Sequence, residues 1–457
     1  MVVLLCARGG RKTGARMGLG RWLERLGISG ATEMPRLMWV LALGGLVSTI
    51  GGSFVWPLNT IYIHFILGKP LTVAGLVLML SAGAGLVGQL VGGTLFDRFG
   101  GKAVMLGGLF SVACMLVIIG LVRVWPVYVA AMGVLGASYG IIEPATNALV
   151  ARAWPEGGRR GFNFLYVARN AGVAIGTAFG GVVAGYSFTA SFLINAAAAL
   201  TYSILVWRFI PRGLPVPAAS EVADGADADE AAEVSGVAEG GGATEAGAGD
   251  GTAFQNRTFT LVSMGLVALG ATFIWMSYSQ WQAVISVYMH SLGYSLASYG
   301  ILWTINGVLI VVGQPLIVTV VKRWLKGLRA QMVGGTLLFA AAFALIWQHP
   351  QYEWFIAGMV VLTLGEMLVL PALPAAVSEL APAGRMGLFQ GVLGGATSAG
   401  RMLGPVGGGA MYDRWSPPGV LAAAALLCLA AAASFGLYGV RLRIRAYSLG
   451  NTFQRRR

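Results

Sequence analysis

Charge is scarce in this chain. Of 457 residues, 11% are Asp, Glu, Lys or Arg and 56% are hydrophobic. A soluble fold of this length would need far more charge to cover its surface, so the membrane class is indicated. Cysteine and histidine are scarcer still, three of each. Cys6, Cys114 and Cys428 stand singly, in no metal-ligand spacing and no disulfide framework, so neither a metal nor a cofactor is expected. Short segments of alternating hydrophobicity, the mark of an outer-membrane barrel, are also missing. Gly83, Gly85 and Gly88 spell a dinucleotide fingerprint, but inside an apolar helical run with no strand before it. Gly101-Lys102 lacks the other glycine and the Ser/Thr of a phosphate loop. No enzyme and no ATPase is expected. Any transport must draw on an ion gradient or on the substrate's own gradient.

What is present is a series of twelve apolar runs, near 37–67, 71–96, 103–122, 125–151, 161–186, 189–210, 258–289, 295–321, 330–348, 352–377, 386–411 and 417–440. Each has about 20 residues or more, enough to cross the hydrocarbon core as a helix. The expected fold is an all-α integral membrane protein of twelve transmembrane helices. Of the 31 Lys and Arg, 26 fall in the N-terminal tail, the C-terminal tail and every second loop, 3 (Lys69, Arg123, Arg414) fall in the alternate loops, and Arg169 and Arg401 lie inside helices. That asymmetry orients the chain with both termini cytoplasmic in the plasma membrane. It also accounts for the net charge of +13 without a nucleic-acid partner. The expected organisation is a basic tail (1–36), a six-helix bundle (37–212), a linker (213–256), a second six-helix bundle (257–440) and a basic tail (441–457). The linker holds nine of the 18 acidic residues and no Lys or Arg, a composition that cannot bury enough apolar surface to order itself. It reads as a tether or, alternatively, as a docking site.

The two halves repeat. Tyr62-Ile63-His64 answers Tyr288-Met289-His290. Gly75 and Gly88-Gln89 answer Gly300 and Gly313-Gln314. Asp97-Arg98 answers Lys322-Arg323, and Pro144 with Pro155 answers Pro371 with Pro382. GVAIGTAFGG (Gly172, Gly176, Gly180, Gly181) answers GRMLGPVGGG (Gly400, Gly404, Pro405, Gly408, Gly409). Glycines four apart share one helix face and let backbones approach, as membrane helices do when they pack. Repeated halves about a midplane site describe a secondary transporter.

The stretch Gly93-Thr94-Leu95-Phe96-Asp97-Arg98-Phe99-Gly100-Gly101-Lys102 resembles the loop between helices two and three of the major facilitator superfamily, with Gly101 replacing one basic residue. The resemblance covers all twelve segments. It implies two pseudo-symmetric six-helix bundles and a cytoplasmic gate at Gly93, Asp97, Arg98, Gly100 and Lys102. The Gly-Pro motif is most like that of the 12-helix drug:proton antiporters, where it belongs to helix five. Here Thr177 takes that proline's place and the full form is in helix eleven, and no Arg lies between 124 and 151.

Four ionisable residues lie at membrane depth: Glu143, Arg169, Glu366 and Arg401. Each costs roughly 2.5–3.5 kcal/mol if left unpaired. Matching depths along their helices predict the pairs Glu143–Arg169 and Glu366–Arg401, either as permanent salt bridges or as pairs that exchange a partner for a proton or a cationic substrate. Trp56, Asn59, Tyr139, Asn147, Tyr166, Asn170, Trp275, Tyr278, Gln280, Trp281, Gln282, Trp303 and Asn306 mix aromatics with amides, as a cavity for amphipathic molecules would. Helix-packing and interfacial roles are the alternative. The expected function is proton-coupled efflux of small amphipathic or cationic molecules, multidrug resistance included, by a monomer working through alternating access. Proton-coupled uptake of a metabolite and a non-transporting sensor are the alternatives.

Overall fold

A computed structural model describes residues 34–154, 159–211, 250–325, 327–382 and 385–438, and every regular element among them is helical. In chain order these are α1 (Arg36–Ser53), α2 (Leu71–Phe99), α3 (Gly101–Leu121), α4 (Trp125–Ala153), α5 (Arg159–Tyr186), α6 (Phe188–Phe209), α7 (Asp250–Tyr278), α8 (Leu296–Trp324), α9 (Leu328–Gln348) and α10 (Tyr352–Leu380). Met386–Leu437 is one helical stretch interrupted at Ser416 (φ 71°, ψ 166°) just before Pro417 and Pro418, and its parts 386–415 and 417–437 are α11 and α12. Proline cannot donate to the preceding turn, so the break falls where the paired prolines put it. Among the described residues, eleven stretches are long and apolar enough to cross a membrane, and the last of them, Leu388–Leu437, contains this break, so the spans described number twelve.

The first helix of each half is wound irregularly near its end. After α1, Pro57 lies in a 3-10 turn (Trp56–Leu58), and Tyr62–Ile66 is a π-turn; after α7, Trp281–Ile285 is a π-turn that leads into Ser286–Ser291. Gly100, between α2 and α3, has φ 80°, which glycine adopts without steric cost. α7 begins at Asp250, inside the stretch read as linker; residues 1–33, 212–249 and 439–457 lie outside the described residues.

The described residues divide into two compact units. An N-unit comprises 34–56 and 83–211, and a C-unit comprises 57–82 and 250–438. The division does not follow the sequence halves: the end of the first span and the first twelve residues of α2 belong with the C-terminal helices.

The glycine repeat is a packing repeat. In the N-unit α5 lies on α1 so closely that a methyl group at Gly176 would stand 2.5 Å from Ile50 O, and one at Gly172 2.8 Å from Leu46 O. In the C-unit α11 lies on α7 in the same way. A methyl at Gly400 would stand 2.5 Å from Thr272 O, and one at Gly404 or Gly408 would run into Ser279 Oγ or the Gln280 amide. Side-chain bonds seal this second seam: Gln280 Nε2 donates to both Met276 O and Gly404 O at 2.8 Å, and Thr272 Oγ1 to Ala396 O at 3.1 Å.

Candidate functional site

In the N-unit, Arg169 of α5 meets Glu143 of α4, the residue just before Pro144 inside that helix. Arg169 Nη1 lies 2.8 Å from Glu143 Oε1, with the side chains 31% and 44% exposed. Among the described residues this is the one salt bridge.

The C-unit treats the same residue types differently. Glu366, in the middle of α10, accepts two hydrogen bonds on Oε2, from Asn306 Nδ2 of α8 at 2.9 Å and from Tyr278 Oη at the end of α7 at 3.3 Å. Asn306 Nδ2 also reaches Thr363 Oγ1, one turn before Glu366, at 2.9 Å. Both donors are neutral, and both bonds fall on Oε2. The expected Glu366–Arg401 pair is not formed. Arg401 lies with its guanidinium carbon 4.3 Å from the centre of the Trp275 ring, a cation–π contact. Trp275 meets Tyr278 edge-on at 5.3 Å, and Tyr278 meets Trp303 at 6.1 Å, so an aromatic row joins the arginine to the carboxylate. Matching depth along two helices fixes height and leaves direction around the axis free.

Arg401 is an exposed residue of α11. The large exposed apolar residues of α11 are Leu388, Val392, Leu403 and Trp415. At about 100° per residue, Arg401 lies about 200° around the axis from Leu403, on the stripe of Gly391, Gly394 and Ser398.

The remaining predicted residues scatter. Trp303 and Asn306 are buried in the polar knot. Gln280 is a packing group of the α7–α11 seam, so it does not line a cavity. Gln282 contributes its carbonyl oxygen, which accepts from Thr60 Oγ1 at 2.7 Å. Asn59 is buried, with Oδ1 unpaired among the described groups. Trp56 Nε1 donates to Ser53 Oγ at 3.4 Å. Tyr139 and Tyr166 are exposed, Asn147 is half-buried, and Asn170 Nδ2 caps Tyr166 O at 2.9 Å. In the loop motif, Lys102 Nζ donates to Trp207 O at 2.7 Å and Ile210 O at 2.6 Å, holding the C-terminus of α6. Arg98 lies over Phe99, 5.4 Å from the ring centre, and the Asp97 side chain lies outside what is described.

Sequence reasoning missed Thr363, which shares the Asn306 amide, and Asp413. The Asp413 carboxylate accepts from the amides of Leu71 (3.1 Å) and Thr72 (2.8 Å) and from Thr72 Oγ1 (2.6 Å). An acid beside Arg414 reads as an ordinary loop charge. The signal that could have exposed it is the Pro70-Leu71-Thr72 start of α2, whose first amides need an acceptor.

The chain is similar to known proteins over nearly its whole length. The sequence profile of the Major Facilitator Superfamily matches residues 41–324 and 260–448. The uncharacterized MFS-type transporter YttB of Bacillus subtilis (strain 168) is 41% identical over 413 residues, which are 90% of this chain and 97% of that protein. A Na(+), Li(+), K(+)/H(+) antiporter of Planococcus maritimus is 25% identical over 401 residues, 82% of this chain and 89% of that protein. Among solved structures, the nucleoside transporter NupG superimposes with a TM-score of 0.69 at 14% identity, covering 88% of this chain and 99% of that one. A POT family transporter in complex with 5-aminolevulinic acid gives 0.67 at 15%, covering 87% and 95%. The chain therefore belongs to the Major Facilitator Superfamily, and its activity is secondary transport across a membrane.

Proposed function

We propose that the chain exports small amphipathic molecules, organic cations and drugs among them, in exchange for protons. It works as a monomer in the plasma membrane with both termini cytoplasmic. The observation that carries this reading is the Glu366 carboxylate, held at membrane depth by two neutral donors on one oxygen. A bare charge there costs roughly 2.5–3.5 kcal/mol, so the group is at rest only when something neutralises it.

Three things can do so. A proton on Oε1 neutralises it outright. An organic cation seated against Tyr278 and Trp303 neutralises it by contact and gains from the aromatic faces. Arg401, resting over Trp275, which in turn meets Tyr278, can swing to it when neither ligand is bound. Proton and cation thus compete for one carboxylate. Competition at a site that faces the two sides of the membrane in turn is exchange. The proton exchange in the name of the Planococcus relative supports this reading, and the 26-to-3 distribution of basic residues supports the orientation. The closed Glu143–Arg169 pair has the role of holding α4 to α5.

Thr177 favours a second reading, proton-coupled uptake of a metabolite. It stands where the exporter motif has proline, and its Oγ1 donates to Val173 O at 2.8 Å within an uninterrupted α5. One experiment separates the two: flux of cationic dyes, sugars and amino acids in proteoliposomes under an imposed pH gradient. Substrate moving against the proton flow, lost in Glu366→Gln, supports exchange. Substrate moving with the protons supports uptake, and gradient-driven flux unchanged in Glu366→Gln overturns the role of this residue.

A further inference from the structure

Thr363 takes no part in the exchange described above, yet it is fully buried in the middle of α10. It lies one turn before Glu366, so the two side chains share a face of the helix. Asn306 of α8 reaches both of them. Its amide nitrogen, Nδ2, lies 2.9 Å from Thr363 Oγ1 and 2.9 Å from Glu366 Oε2. Asn306 is itself 4% exposed, and Ile310, one turn further along α8, packs in a buried apolar cluster with Met367 and Leu368 of α10. All of these residues belong to the C-unit.

The Thr363 hydroxyl has a single hydrogen, and that hydrogen is engaged: Oγ1 donates to Met359 O, one turn back in α10, at 2.7 Å. Toward Asn306 the hydroxyl can therefore only accept. An asparagine side chain offers N–H at one end of its amide and a carbonyl oxygen at the other, and a half-turn exchanges the two. While Glu366 is ionised, its own charge selects the N–H end. Once protonated, Glu366 has a hydrogen to donate, and a reversed amide would accept it. Thr363 opposes that reversal. Oδ1 turned toward it would meet lone pairs, and a buried N–H would lose its acceptor.

We propose that Thr363 is a positioning residue for proton exchange at Glu366: it keeps the N–H end of the Asn306 amide on the carboxyl group in both protonation states. Donors on Oε2 favour the ionised carboxylate, whereas a reversed amide would favour the protonated acid. The threonine thus keeps the proton from being held too firmly to leave. Other titratable groups do not take over this role. Tyr278 of α7 donates to the same oxygen, Arg401 of α11 rests over Trp275, and Tyr299 of α8 donates to Trp281 O. Arg329 is in the first turn of α9, and Glu353 and Glu379 are at the two ends of α10.

The proposal rests on the reading of Glu366 as the proton carrier. Its test uses the full chain in lipid vesicles and follows the infrared carboxyl band that Glu366→Gln removes. Thr363→Val keeps the side-chain shape and removes the acceptor. The pH at which the band is half-developed should move about one unit toward alkaline, an about tenfold tighter hold on the proton, as expected when a hydrogen bond to a charged group is exchanged. The pH profile of gradient-driven flux should move with it. Thr363→Ser, which restores the hydroxyl, should return both to the parent values, and Thr363→Ala serves if Thr363→Val does not fold. A folded variant without the hydroxyl that keeps the parent titration overturns the proposal, even where its thermal midpoint falls, because a threonine that merely packs α10 against α8 would change stability without moving the titration. Failure of the exchange reading looks different: no band that depends on Glu366 titrates in the parent, and the proposal falls with it.

Discussion

Glu143 with Arg169 in the N-unit and Glu366 with Arg401 in the C-unit are the same ingredients at comparable places in a repeated chain, and they are used differently. In the first pair the guanidinium reaches the carboxylate at 2.8 Å. In the second, two neutral donors have taken one oxygen of Glu366, and the arginine rests on an indole face instead. A closed ion pair already has its compensation and gains nothing from a proton. A carboxylate held by an amide and a phenol keeps its place in either protonation state, because both donors lie on one oxygen and leave the other free. The comparison teaches that the neighbours on the adjoining helices decide which partner each carboxylate takes.

The comparison is broken most severely by removing the labile carboxylate. Glu366→Gln keeps both hydrogen-bond donors engaged through its own carbonyl oxygen, yet it should bring gradient-driven flux to the background of empty vesicles. Glu143→Gln should retain it. Equal loss in the two variants would erase the distinction. The next largest effect is on folding: Gly176→Leu and Gly404→Leu force side chains into the two backbone seams and should each cost about 1–3 kcal/mol or more, read as a fall in thermal midpoint in detergent. If the repeat is a packing repeat, the two should fall together.

Smaller still is the coupling within the closed pair. Both partners are partly exposed, so a double-mutant cycle with Glu143→Gln and Arg169→Gln should return about 1 kcal/mol or less. The same cycle on Glu366→Gln and Arg401→Gln should return nothing measurable in the resting protein. The smallest expected effect is at the aromatic row. Trp275→Leu removes a cation–π contact worth about 0.5–1 kcal/mol and should sharpen the contrast by leaving Arg401 freer, detected as a small drop in stability with folding intact.

Much of the fold was legible in the residues. Apolar runs marked the spans to within a few residues, and the gap between 386–411 and 417–440 separated the last two. The glycines of 172–181 and 400–409 pointed to the close helix seams that the structure contains. The site was legible in part. Glu143 and Arg169 lie on consecutive helices, so equal depth was enough to bring them together. Glu366 and Arg401 also lie on consecutive helices, and there equal depth failed, because it says nothing about direction around each axis. Nothing in the local pattern announces that Asn306, two helices earlier, aims at Glu366. Nor does a twofold sequence repeat reveal that residues 57–82 pack with the opposite half, since periodicity reports the face a helix buries and not the neighbour it buries it against.

The difference between the two carboxylates can be read directly by infrared difference spectroscopy, stepping reconstituted protein across neutral pH and following the carbonyl stretch of protonated carboxyl groups. A proton-carrying Glu366 predicts a carboxyl band that titrates in the parent, disappears in Glu366→Gln and is unchanged in Glu143→Gln. A band that survives Glu366→Gln and vanishes with Glu143→Gln would contradict it.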